Sequence, residues 1–259
     1  MKKILFLAYG TVVYIIFFAT YCYAVGFVTN LLVPTGLDSK PTSSLEYAIL
    51  ANVGMLVLFA LQHSVMARPA FKKWWTMIVP EPLERSTYVL LSSLCMILLF
   101  IYWQPMGGIV WSVDSKIAYF TLTAISLLGF GIVLVSTFLI NHFDLFGLRQ
   151  VWLYFIGKPY TQLPFKTPFF YKYVRHPLYL GWMIAFWAAP TMTVAHLLFA
   201  VVCTVYMLAA IRFEEHDLVH AFGDQYIKYK QMAPMIIPFV HRKKVRIETS
   251  STPDSTRIS

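Results

Sequence analysis

The chain has 259 residues, of which 58% are hydrophobic, 17% aromatic and only 13% charged, with mean hydropathy +0.63 and formal net charge +9. A soluble domain averages about 45–50% apolar and about 25% charged residues, so this composition excludes an ordinary water-soluble fold and points to lipid as the solvent. Cys22, Cys95 and Cys203 lie inside apolar runs without CxxC spacing, which excludes a disulfide framework and speaks against a thiolate metal site.

Six apolar stretches follow in chain order. The first, about 4–32, starts after Met1-Lys2-Lys3; it is too long for a secretory signal and has no small-x-small cleavage site, so it reads as a span. The second covers about 45–61, the third about 87–102 and the fourth about 117–140. The fifth, about 179–189, is short and stops at Pro190, and the sixth covers about 194–211. A helix needs roughly 20 apolar residues to cross a hydrocarbon core of roughly 30 Å, so the fifth does not reach alone. Turned at Pro190-Thr191-Met192-Thr193 onto the sixth, it forms a spanning or re-entrant hairpin whose backbone is satisfied by protein. The expected fold is all-α: a polytopic membrane protein with about five to six transmembrane helices, a C-terminal helical hairpin and cytoplasmic cofactor-binding segments. The expected organisation is one domain over residues 1–240, with the cofactor-binding part at about 141–240. A basic, disordered cytoplasmic tail is expected over 241–259. Gly129-Phe130-Gly131 falls inside the fourth stretch, where small residues allow close helix packing rather than marking a dinucleotide site.

The basic residues orient these spans. With the N-terminus inside, 19 of the 21 Lys and Arg fall on the cytoplasmic side, leaving Lys40 and Lys116 outside. This places the protein in a membrane, expected to be the bacterial inner membrane, with both termini cytoplasmic. It also accounts for the positive charge without nucleic acid, since the basic groups would lie beside anionic lipid. No obligate protein partner is expected.

Two polar clusters bracket the hairpin. In Arg175-His176-Pro177-Leu178-Tyr179, Pro177 suits the first turn of a helix, leaving free amides and the positive dipole end toward the polar loop. The group reads either as an interfacial anchor or as a carboxylate-binding site. Glu214-Glu215 emerges from the next span, either as a solvated helix end or as a holder for a cationic ligand. His216 and His220 have metal-ligand spacing but no third ligand, so no metal is expected. Tyr226 and Tyr229 share a helix face and would wall an aromatic ligand, but a membrane-surface amphipathic helix has the same pattern. Gln62-His63-Ser64 and Asn141-His142-Phe143-Asp144 each place a histidine at an inner span end, suited to general-base work or haem ligation.

Taken together, Arg175-His176-Pro177-x-Tyr179-x-Gly181, Glu214-Glu215 and Phe222-Gly223-x-x-Tyr226-x-x-Tyr229 resemble the isoprenylcysteine carboxyl methyltransferase family of membrane methyltransferases. The resemblance covers roughly residues 171–239. Upstream, Gln62–Arg68 and Asn141–Gly147 are similar to the NnrU-related branch, and within it to the bacterial enzymes that methylate methanethiol to dimethyl sulfide with S-adenosylmethionine. The resemblance implies that the His176–Tyr179 backbone and Glu215 hold S-adenosylmethionine, that His176 and Tyr179 contact it, and that Tyr226 and Tyr229 border it. Relatives acting on prenylcysteine carboxylates tend to carry an arginine before the later proline. Gln231-Met232-Ala233-Pro234 has none, which favours a small apolar thiol as acceptor.

The residue chemistry fits these implications. A helix N-terminus with Arg175 suits the donor's carboxylate, Glu214 or Glu215 its ammonium, and tyrosine faces its sulfonium. Thiolate must also be generated, and His142 oriented by Asp144 is the expected base, with Arg149 stabilising the thiolate. The competing readings are a haem-binding NnrU-like protein with His63 and His142 as axial ligands, acting as an isomerase or denitrification accessory, and a methyltransferase for a lipid-soluble acceptor.

Overall fold

The structure, a computed structural model, describes residues 1–238; the expected tail at 241–259 lies outside the described residues. In chain order these residues form α1 (Lys2–Thr29), α2 (Leu45–Ala67), α3 (Pro69–Trp75), α4 (Glu81–Tyr102), β1 (Ile109–Ser112) and α5 (Lys116–Ile140). Then come α6 (His142–Leu145), α7 (Leu148–Phe155), a 3-10 turn at Phe169–Lys172, α8 (Pro177–Trp187), β2 (Thr191–Thr193), α9 (Val194–Phe222) and α10 (Asp224–Met232). Five of these, α1, α2, α4, α5 and α9, are long and apolar enough to cross a membrane. Many of their apolar side chains point outward, among them Leu50, Ile101, Phe120 and Val205, as a lipid-facing surface requires. The protein is an all-α polytopic membrane protein.

Sequence signals set the helix limits. Ser44, Ser115 and Thr193 accept the amides of Tyr47, Ala118 and His196, capping α2, α5 and α9, and Pro177 occupies the first turn of α8. The spans expected at 87–102 and 194–211 are longer in the structure, because α4 begins at Glu81 and α9 runs on to Phe222. Glu214 and Glu215 are thus inside a helix rather than beyond it. The core between the spans is aromatic. Phe27 and Phe199 each pack edge-on against Trp103, with ring centroids 5.8 Å apart in both pairs.

The fifth apolar stretch solves its length problem in two ways. α8 has only 11 residues, so the crossing is completed by extended chain, and Thr191–Thr193 pairs antiparallel with Ile109–Ser112 to satisfy that backbone. α8 is also clamped against α5. A Cβ at Gly129 would come 2.6 Å from the Ala185 amide nitrogen, and one at Gly181 would come 2.7 Å from the Gly129 carbonyl oxygen. Gly131 meets nothing within 4 Å, so of the two small residues in that motif Gly129 makes the close approach.

The loop following α1 closes the far end. Asp38 accepts from Thr193 N (3.1 Å), Thr193 Oγ1 (2.7 Å) and Asn30 Nδ2 (2.6 Å), and pairs with His196 Nδ1 at 2.8 Å. From Val194 to Glu215 α9 climbs 21 residues, roughly 31 Å at 1.5 Å per residue, about one hydrocarbon core. Asp38 and Glu215 therefore mark opposite faces of the bundle.

Overpacking the α5–α8 seam tests this account. Gly181→Val or Gly129→Val should destabilise the protein by about 1–3 kcal/mol and lower its thermal midpoint in detergent. Gly131→Ala, two residues from Gly129 and on open surface, should leave the midpoint unchanged.

Candidate active site

Glu215 is the centre of the charged cluster. Its Oε1 lies 2.6 Å from Arg175 Nη2, accepts from Arg175 Nε at 2.7 Å, and lies 3.2 Å from His176 Nε2. Its Oε2 lies 2.8 Å from Lys230 Nζ. The Arg175 side chain is 1% exposed and that of Glu215 11%, so the pair is protected from solvent screening. Arg175 spends its remaining donor capacity on backbone, with Nη1 donating to Ala233 O at 2.6 Å and Lys230 O at 3.2 Å. Its nitrogens thus all have protein acceptors. The sequence-based expectation of Arg175 gripping a ligand carboxylate is not what the geometry favours; the guanidinium buttresses Glu215.

The chain after α9 straps this cluster down. The amides of Arg175 and His176 donate to Pro234 O (2.9 Å) and Met235 O (3.1 Å), and the Tyr229 hydroxyl donates to Tyr171 O at 2.5 Å. Tyr226, Tyr229 and Ala233 fall at helical spacing on one face and bury against Phe165, Leu218, Val219 and Phe222. Lys230 shares that face, and the same periodicity, read from Tyr226, could have selected it over the exposed Lys228. Sequence reasoning missed it.

Several polar groups here keep hydrogen-bonding capacity to spare. Tyr226 is 2% exposed, yet its hydroxyl has no hydrogen-bond partner among the described residues. Burial, and then the charge of Glu215, pushes its pKa up, so the orphaned group stays protonated and able to donate. Glu214 is 45% exposed, 3.8 Å from His176 Nδ1, with the Tyr179 hydroxyl against it. Pro177 and Leu178 open α8 without any side-chain cap, leaving its first-turn amides to another acceptor. Donors on one side, a carboxylate on the other and an unsatisfied hydroxyl suit a zwitterionic ligand, so the residues present fit an amino-acid-bearing methyl donor.

The second expected group divides. The His142 ring is 2% exposed and lies flat on Phe138, centroids 4.0 Å apart, with Nε2 2.8 Å from the Tyr14 hydroxyl and Nδ1 2.7 Å from Thr137 Oγ1. Asp144 instead pairs with Arg149 at 2.8 Å and accepts from Tyr160 at 3.3 Å, while Arg149 also donates to Thr161 O and Oγ1. The structure thus does not bring Asp144 to His142 as its orienting partner. Both His142 nitrogens are already taken by hydroxyls from α1 and α5, and the Tyr14 partner lies 128 residues away in sequence.

These features define a membrane-embedded bundle carrying a charged, hydroxyl-lined ligand cluster where the α8–α9 hairpin meets the C-terminal strap. Comparison with known proteins gives the family. The chain is 55% identical over 243 residues to methanethiol S-methyltransferase of Crocosphaera subtropica, covering 94% of this chain and 95% of that protein. It is 47% identical to the protein of that name from Mycobacterium tuberculosis, over 93% of this chain and 99% of the relative. It is also 30% identical to Nurim of Bos taurus, over 70% of this chain and 72% of Nurim. No family model matches this sequence, and no solved structure does. The chain belongs to the methanethiol S-methyltransferase family.

Removing one partner of a buried pair strands the other charge. Glu215→Gln should cost about 3–5 kcal/mol of stability, read as a lowered thermal midpoint. Lys230→Met should cost less, because the Lys230 side chain is 32% exposed.

His142 supplies a pH test. Burial lowers its pKa, so the unfolded state binds more protons and stability falls as pH drops below about 6.5 towards the folded-state value. His142→Gln should flatten that part of a stability–pH curve measured by chemical denaturation.

Proposed function

We propose that this enzyme transfers a methyl group from S-adenosylmethionine to methanethiol, giving dimethyl sulfide. Family membership at 44–55% identity supports the reaction. The observation that carries the donor site is the buried Glu215 ion cluster with the unpartnered Tyr226 hydroxyl beside it. S-adenosylmethionine supplies an electrophilic methyl on a sulfonium; the chain's residues bind and orient it.

In this reading Glu214, the more accessible acid, takes the ammonium, with the Tyr179 hydroxyl and His176 fixing that carboxylate. The uncapped amides at Leu178 and Tyr179 take the carboxylate. Tyr226 donates to the bound donor, and Tyr229 supports the wall from behind through its bond to Tyr171. Arg175 and Glu215 hold these groups in place. We place the site on the cytoplasmic side of the bacterial inner membrane, supported by the basic residues on that face, including Arg68, Lys72, Lys73 and Arg85. Residues 1–240 act as one catalytic domain.

The haem-binding alternative has less support: His142 is enclosed by Tyr14, Thr137 and Phe138. It also assigns nothing to the Arg175–Glu215 cluster.

Headspace gas chromatography decides the reaction. Membranes containing the protein, supplied with S-adenosylmethionine and methanethiol, should release dimethyl sulfide; none above the vector control would remove the assignment. Glu214→Gln should raise KM for S-adenosylmethionine about 10- to 100-fold, the loss of one charge-assisted contact, with a smaller effect on kcat.

A further inference from the structure

His216 and His220, on the last two turns of α9, take no part in the donor cluster. Residues four apart on a helix are surface neighbours, so the two rings rise from one face. Here both turn the same nitrogen to the same point: the Nε2 atoms lie 3.2 Å apart, with ring centroids 4.4 Å apart and planes meeting at 64°. α9 has already climbed about one hydrocarbon core by Glu215, so both rings stand beyond it, and both are exposed. They are open to ions from solution.

The separation suits two ligands of one ion. Nitrogens bound to zinc at about 2.0–2.1 Å lie about 3.3–3.4 Å apart at a tetrahedral angle, and about 2.8–3.0 Å apart at a right angle. The observed 3.2 Å falls between the two, so an ion could be seated with little movement of either ring. The neighbouring charges favour the same arrangement. His216 Nδ1 faces Asp217 Oδ1 at 3.6 Å, and Asp217 Oδ2 is paired with Arg68 Nη1 at 3.2 Å. A carboxylate on that side keeps the His216 proton on Nδ1 and the lone pair on Nε2, the outer-shell partner that metal-bound histidines have. The hydrogen shared between the rings then belongs to His220 Nε2. Moving it through water to His220 Nδ1 frees a second lone pair at the same point, with no change in charge.

The sequence-based expectation of no metal rests on the lack of a third protein ligand. Among the described residues no three His, Cys, Asp or Glu side chains come together as a metal centre, which argues against a closed structural site. An open site, with water in the remaining positions, needs only the pair. We propose that His216 and His220 form a two-histidine site for a divalent transition cation, with Asp217 as its positioning residue. Imidazole suits Cu²⁺, Ni²⁺ and Zn²⁺, whereas Mg²⁺ and Ca²⁺ call for oxygen ligands. The bound ion ties two successive turns at the inner end of α9, two residues beyond Glu214, and so stiffens the stretch that carries both acids.

The test uses the full-length protein in detergent, purified without a histidine tag, stripped with a chelator and titrated with zinc chloride or copper(II) chloride against a chromophoric competitor. About one equivalent should bind, copper more tightly than zinc, and excess magnesium or calcium chloride should not displace it. His216→Ala and His220→Ala should each lose that equivalent, and Asp217→Asn should weaken it about 10- to 100-fold. Zinc should raise the thermal midpoint of the wild type and leave that of either histidine variant unmoved. Where a variant misfolds, the copper(II) paramagnetic resonance spectrum of the wild type carries the test, with coupling to two imidazole nitrogens expected. Binding that survives both histidine substitutions, displacement by calcium, or a copper spectrum without nitrogen coupling would overturn the site.

Discussion

The ion pair between Arg175 and Glu215 is the constraint on which the inner face depends. It joins three parts of the chain: the segment entering α8, the far end of α9, and the strap after α10 through Lys230 and the Ala233 carbonyl. A carboxylate at this depth is tolerable because Arg175 and Lys230 both pair with it. The consequence is rigidity. Glu215 is fixed by its ion pairs, whereas its neighbour Glu214 is more exposed and more loosely held. Two adjacent acids on one helix thereby sit in different environments.

A matching constraint acts at the opposite face. Asp38 reaches across from the loop after α1 to the cap of α9, where it meets both Thr193 and His196, and His196 Nε2 faces Phe186 O at 2.9 Å. Between these two polar anchors runs α8, too short to cross by itself and held by backbone contact at Gly129 and Gly181. The hairpin is pinned at top and bottom and pressed against α5 along its length. That geometry holds the uncapped first turn of α8 next to the Glu215 cluster, which His176 touches.

Much of this was legible in the sequence, for reasons that differ by feature. Hydropathy located the spans because lipid imposes a length, and Arg175-His176-Pro177 with Glu214-Glu215 could be paired because a hairpin must return to its starting face. Which acid does what was not legible, since adjacent positions differ only in the direction they leave the helix. His142 looked like a base beside Asp144, but the hydroxyl on its Nε2 comes from Tyr14, 128 residues away. The Asp38–His196 contact spans 158 residues and has no local pattern at all. Helix ends were misjudged where polar residues continue a helix beyond the apolar run, as in the last turns of α9.

The acceptor's character follows from what the inner cluster lacks. A carboxylate acceptor would need a cation of its own, because bringing an anion to a desolvated site without one is costly. Arg175 is consumed by Glu215 and backbone, and Lys230 is held at Glu215 Oε2. The position before Pro234 is Ala233, 2% exposed, packed in the tyrosine cluster with its carbonyl on Arg175. An arginine side chain there would have to displace Tyr226 or Tyr229 from their packing. A neutral thiol needs no counter-ion on arrival; it needs only to lose a proton. The same absence that argues against a carboxylate therefore argues for an acceptor whose charge is created within the site.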